Sequence, residues 1–232
     1  YGFSVNTIKI FQNSFAQKIP YPYDNEVNRN LKMFDIKLGN NIKLFEFHNN
    51  NISKKILEIS QTLDNALVIA TGAKIKSKKW AQNNFFEIAK LWLKNKGDIV
   101  FIGNKGDGDD ADIIISKLKE WQMRTELMFE TNKVYNFCNQ TTLDETIFLI
   151  KKSTAMIAND SGPAHLSSFT DTKVVTVQAS QDFRLKWDPY LSTNFVLRPK
   201  RKSICKCNTD SCGYCINDIQ YNDGWIKLKE LS

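Results

Sequence analysis

With 232 residues, 42% of them hydrophobic, the chain can build one large domain, or one domain with part of another. Lys and Arg total 32 against 25 Asp and Glu, and the net charge of +7 suits phosphate-bearing partners. No apolar run reaches the roughly 18 residues of a membrane-spanning helix, which excludes that class.

Residues 1–24 read as a strand, a loop and a turn over Pro20 to Tyr23. Asp24 or Asn25 can cap a helix to about Leu38, with Val27, Leu31, Phe34 and Leu38 on one face. An alternating strand over Ile42 to Phe47 follows, and Ser53 opens a helix through Ile59. Residues 1–40 are expected to be the tail of one domain and a connector, and 41–232 a second domain. The opening Tyr1-Gly2-Phe3 has neither Met nor a secretory leader pattern, so the expectation is a fragment from inside a longer protein.

From residue 66 strands and helices alternate. Strands are predicted over Ala66–Ala70, Asp98–Ile102, near Leu127–Phe129, over Ala155–Ala158, Val174–Val177 and Phe195–Leu197. Between them come a helix carrying Phe85, Ile88, Ala89 and Trp92, one reaching Leu118, one over Leu143–Ile150 and one over His165–Phe169. Asp223 is expected to cap a final helix over 223–231. This alternation predicts a parallel sheet with helices on both faces. Three polar loops, 71–80, 103–110 and 158–163, each follow a strand and should share the sheet's carboxyl rim, where ligands of such folds bind.

Each loop offers a group with two readings. Lys78 is a point charge suited to a phosphate, or one solvated lysine among several. Asp107 can accept hydrogen bonds from ribose hydroxyls, or belong to a flexible acidic turn. Asp160 and Ser161 are good helix-capping residues and Pro163 suits a first helical position, so free N–H groups would face an anion there. His165 adds a second polar group to that turn. His48 has no evident partner, and Cys138 reads as a small buried hydrophobe. Cys205, Cys207, Cys212 and Cys215 can hold zinc or serve as structural thiols, and are expected to lie together in either case. Without a secretory context the five cysteines suit a reducing, cytoplasmic setting. The basic runs lack the interleaved aromatics of a nucleic-acid binder, so no nucleic acid is expected.

Thr71-Gly72-Ala73 with Lys78-Lys79-Trp80, Ile102-Gly103 with Asp107 and Ala111, and Asp160-Ser161-Gly162-Pro163-Ala164-His165-Leu166 stand in the order found in family 9 glycosyltransferases. The chain resembles that family, the lipopolysaccharide heptosyltransferases and their relatives, and Trp187-Asp188-Pro189-Tyr190 and the late cysteines fit the same pattern. The resemblance implies an α/β fold, a Rossmann-like parallel sheet forming the C-terminal half of a GT-B glycosyltransferase. It implies a donor site in which Thr71 takes part, Lys78 meets phosphate, Asp107 the adenosine ribose and Asp160 the sugar. Ser161, Gly162, Pro163 and His165 would surround the diphosphate.

The implied reaction moves heptose from ADP-heptose onto the lipopolysaccharide inner core, without a required cofactor or metal. It would run in the cytoplasm, with peripheral contact at the inner face of the inner membrane. The acceptor site and catalytic base belong to the family's N-terminal domain, so this chain is expected to be inactive alone. The alternative is a non-catalytic nucleotide-sugar-binding module.

Overall fold

Continuous runs of apolar residues such as Leu67-Val68-Ile69-Ala70 suit strands covered on both faces. The computed structural model describes residues 25–28, 51–95, 97–125, 133–180, 186–190, 194–200 and 215–231. Its strands are β1 (Leu67–Ala70), β2 (Ile99–Phe101), β3 (Val134–Asn136), β4 (Ala155–Asn159), β5 (Lys173–Val177) and β6 (Asn194–Leu197). They form one sheet in the order β3-β2-β1-β4-β5-β6, and every neighbouring pair is parallel. The helices are α1 (Lys54–Thr62), α2 (Gln82–Lys94), α3 (Lys105–Thr125), α4 (Leu143–Lys152), α5 (Gly162–Leu166) and α6 (Tyr221–Leu231).

Alternate strand residues feed two cores. Leu67, Ile69, Phe101, Ile157 and Val175 pack with Phe85 and Ile88 of α2, Ile114 and Leu118 of α3, and Leu228 of α6. Val68, Val100, Met156 and Val174 on the other face pack with Ile56 of α1, Phe148 and Ile150 of α4, and Ala164 of α5. The expected parallel sheet with helices on both faces is therefore present. Trp80 ties the end of the chain to the first core: its indole donates to the Ile219 carbonyl at 2.8 Å and meets Phe85 edge-on.

Several boundaries differ from the sequence reading. Loop 103–110 is mostly helix, because Asn104 and Asp107 cap each other's amides and start α3 at Lys105 despite two glycines. The helix expected over His165–Phe169 is the short α5 followed by a 3-10 turn, Ser167–Phe169. Asp223 lies inside the first turn of α6, where its carboxylate accepts from the Gln220 amide at 3.0 Å. The strand beside β2 is Val134–Asn136, while Leu127–Phe129 lies outside the described residues. So do 1–24 and 29–50; Asn25 does cap a helical turn at 26–28, accepting from the Val27 amide at 2.9 Å.

One carboxylate joins two helices under the second face. Glu145 closes a capping box with Thr142 at the start of α4 and also accepts from the Ser53 amide at 3.1 Å, beside the start of α1. Hydrogen bonding from Ser53, then from the Thr142 amide, holds its carboxyl below the ordinary range against the opposing pull of burial. A depressed folded value means stability that is present above the ordinary glutamate range and lost as pH falls through the folded one. Glu145→Gln should cost about 1–2 kcal/mol at neutral pH. Urea denaturation across the acid range checks this: the variant's deficit should shrink as pH falls, and a constant deficit would contradict it.

Candidate functional site

The strand order reverses direction between β1 and β4, the switch point at which doubly wound sheets open a crevice beyond their carboxyl ends. Loop 71–80 leaves β1 there, and residues 160–163 leave β4 beside it. Lys78 ends a 3-10 turn, Lys76–Lys78, and its ammonium lies 3.1 Å from Oδ2 of Asp160. With side chains only 16% and 8% exposed, the pair is better shielded than a surface salt bridge. His165 Nε2 lies 3.9 Å from the other Asp160 oxygen, an ion pair only when the imidazole is protonated. Neighbouring Lys79 turns away to an ion pair with Asp110 of α3. Of two adjacent lysines, the fold aims one at the crevice.

The start of α5 is not capped as the sequence suggests. Ser161 occupies the N-cap position in extended conformation, but its hydroxyl donates back to the Asn159 carbonyl at 3.2 Å. Asp160 instead spends its carboxylate on Lys78. Pro163 stands in the first turn as expected, and Gly162 is open, with nothing within 4 Å of where a Cβ would be. Because α5 is only five residues long, fixed positive charge at this crevice comes chiefly from Lys78.

Asp107 reaches the same rim by a different route. It is 7% exposed, and Oδ2 accepts from the Asn104 amide at 2.8 Å, so its first task is to start α3. The side chain wedges between two glycine backbones. A methyl on Gly72 would collide with the Asp107 carboxylate, and one on Gly103, whose φ is 155°, would come within 2.6 Å of Asp107 Cβ. Thr71, Gly72, Lys78, Asp107, Asp160 and His165 thus belong to one rim, as the loop placement implied.

Two residues escaped the sequence reading. Asn159, the last residue of β4, is fully buried; its amide donates to the Thr71 carbonyl at 2.6 Å and accepts from the Trp80 amide at 3.0 Å. The available signal was a lone amide closing an apolar strand. Asp110, which holds Lys79 and accepts from Gln82 at 2.9 Å, lay hidden in what read as a loop. Cys138 is buried, and desolvation with the charges of Asp107 and Asp112 pushes its thiol up to about 12, so it is a structural group. Cys215 is buried in the first core, whereas Cys205, Cys207 and Cys212 lie outside the described residues.

A doubly wound α/β domain with a shielded lysine at its switch point belongs to the nucleotide-binding class of folds. Residues 2–214 match glycosyltransferase family 9 (heptosyltransferase), and the chain belongs to that family. A lipooligosaccharide heptosyltransferase 2 from Campylobacter jejuni is 24% identical over 211 residues, 82% of this chain. The match covers 64% of that protein, so the chain spans less than two thirds of the relative's length. Among solved structures, the ADP-heptose lipopolysaccharide heptosyltransferase II of Escherichia coli aligns with a TM-score of 0.58 at 22% identity, covering 78% of this chain and 52% of that one. A family 9 glycosyltransferase from Veillonella parvula aligns at 0.62 and 16% identity, covering 93% and 62%. The fold they share with this chain is the Rossmann-like one, a parallel sheet with helices on both faces. Among the described residues no helix is long and apolar enough to cross a membrane.

The Gly72–Asp107 contact is open to a direct check. Gly72→Ala should destabilise the fold by about 1–3 kcal/mol. In an Asp107→Ala background the same change should cost much less, because the obstructing carboxylate is gone. Equal losses in the two backgrounds, measured by urea denaturation, would show that another contact is responsible.

Proposed function

We propose that this sheet is the donor-binding part of an inverting sugar transferase that moves heptose from ADP-heptose to the inner core of lipopolysaccharide. The observation that carries the reading is the shielded Lys78 ammonium at the switch point, beside Asp160, in a chain of family 9. The adenine base and the heptose are supported by the family and by the name of the Escherichia coli relative, not by a contact on this rim.

In this scheme the acceptor hydroxyl attacks the anomeric carbon of the heptose while the bond from that carbon to the diphosphate oxygen breaks. The bond pair leaves with ADP, and the acceptor proton passes to a base. Lys78 neutralises the charge that grows on the leaving diphosphate, electrostatic stabilisation that a fixed cation supplies without a metal. Asp160, released from Lys78 as the phosphates arrive, turns to the sugar hydroxyls. Asp107 meets the ribose through whatever capacity its helix cap leaves. Thr71, Ser161, Gly162, Pro163 and His165 complete the wall around the diphosphate. The base and the acceptor-binding groups belong to the family's other lobe, and the domain division near residue 40 is part of the same proposal. Membrane contact, where the acceptor lies, would be peripheral and on the cytoplasmic side.

The chain should therefore bind ADP and, by itself, transfer no sugar, since half of the orienting cleft is supplied elsewhere. Lys78→Ala should weaken ADP by roughly 1.5–3 kcal/mol, the worth of a hydrogen bond to a charged group. Asp160→Ala should weaken ADP-heptose more than ADP. Calorimetry with both ligands reads both effects. Equal losses for the two ligands in Asp160→Ala would remove the sugar role, and undiminished ADP binding in Lys78→Ala would remove the phosphate role.

A further inference from the structure

Asn159 holds both ends of loop 71–80 to the same strand. Thr71 is the first residue beyond β1, and Trp80 lies just before α2. One planar amide spans them, donating to the Thr71 carbonyl at 2.6 Å and accepting from the Trp80 amide at 3.0 Å. The register explains the reach: Ala70 pairs with Ala158, so Asn159 stands level with the residue that follows β1. The far end of the loop is fixed as well. The Trp80 ring is 1% exposed and its indole is bound to the Ile219 carbonyl. Lys78 lies two residues before that fixed point, and the residue after Asn159 is the Asp160 that it meets.

We propose that Asn159 is a positioning residue. It sets the path of loop 71–80, and so delivers the Lys78 ammonium to the carboxyl end of β4, without touching a ligand itself. The inference rests on the proposed function only in taking the delivered cation to be a diphosphate-binding one. The chemistry of the clamp demands an amide. A carboxylate would present an acceptor to the Thr71 carbonyl, itself an acceptor, so that end of the loop would be repelled. A small hydroxyl would leave buried Thr71 and Trp80 backbone groups without their partners. Asparagine supplies one donor and one acceptor at the required separation.

The test compares ADP binding in the whole chain for wild type, Lys78→Ala, Asn159→Asp, Asn159→Ser and each Asn159 change combined with Lys78→Ala. If Asn159 acts through Lys78, Asn159→Asp should weaken ADP by about tenfold, and the same change should have little further effect once Lys78 is alanine. Asn159→Ser guards against a charge effect peculiar to aspartate. Independent, multiplied losses in the double variants would overturn positioning in favour of a general structural role. A weakened Lys78→Ala alongside unaltered Asn159 variants would overturn the positioning role alone. Wild-type chain that ignores ADP, or Lys78→Ala that binds it equally well, would instead overturn the nucleotide reading beneath it. A further measurement needs no variant: the Trp80 amide should exchange with solvent far more slowly than exposed loop amides. Fast exchange in the folded wild-type chain would show that the clamp does not hold.

Discussion

The pairing of β1 with β4 is the constraint on which the rest depends. These strands are neighbours in the sheet but far apart in sequence, with three crossovers and β2 and β3 folded to one side between them. Their register, Leu67 against Ala155 through Ala70 against Ala158, brings two unrelated loops to the same height above the sheet. A slip of one residue would turn Ile157 and Met156 to the wrong cores and swing Asn159 away from Thr71. Two buried cores alternate along each strand, so the register is fixed by hydrophobic burial, and the polar rim inherits its geometry from that burial.

On that rim the Lys78–Asp160 pair does two things. In the unliganded chain it gives a shielded ammonium a counter-charge, avoiding the cost of an isolated buried ion. It also holds the lysine in one place, at the mouth of the crevice. On the proposed reading an entering diphosphate replaces Asp160 as the partner of Lys78, and the freed carboxylate is then next to the part of the donor beyond the phosphates. One ion pair would thereby prepare both the phosphate and the sugar contacts. Lys79 is engaged separately, in an ion pair with Asp110 of α3.

Much of this was legible in the sequence, where apolar runs and helical periodicity act over short distances. Phe85, Ile88, Ala89 and Trp92 announce α2, and the apolar runs give five of the six strands to within a residue or two. The shared rim followed from parallel topology alone. What failed was local chemistry that composition disguises. Gly106 and Gly108 made the start of α3 look like a loop, although the Asn104–Asp107 capping box outweighs them. Asp160 and Ser161 looked like caps because capping is their commonest use near a helix start, yet a lysine from another loop claims the carboxylate. Asn159 was invisible for a related reason. Its role depends on two backbone groups brought near only by folding, and no spacing along the chain encodes them.

The most direct measurement is a crystal structure of the chain with ADP. The account predicts the diphosphate within hydrogen-bond distance of Lys78 Nζ at the carboxyl ends of β1 and β4. In that complex Asp160 should have parted from the lysine, while Asn159 still holds Thr71 and Trp80. ADP bound away from this rim, or bound here with the Lys78–Asp160 pair intact and no phosphate on the lysine, would contradict it.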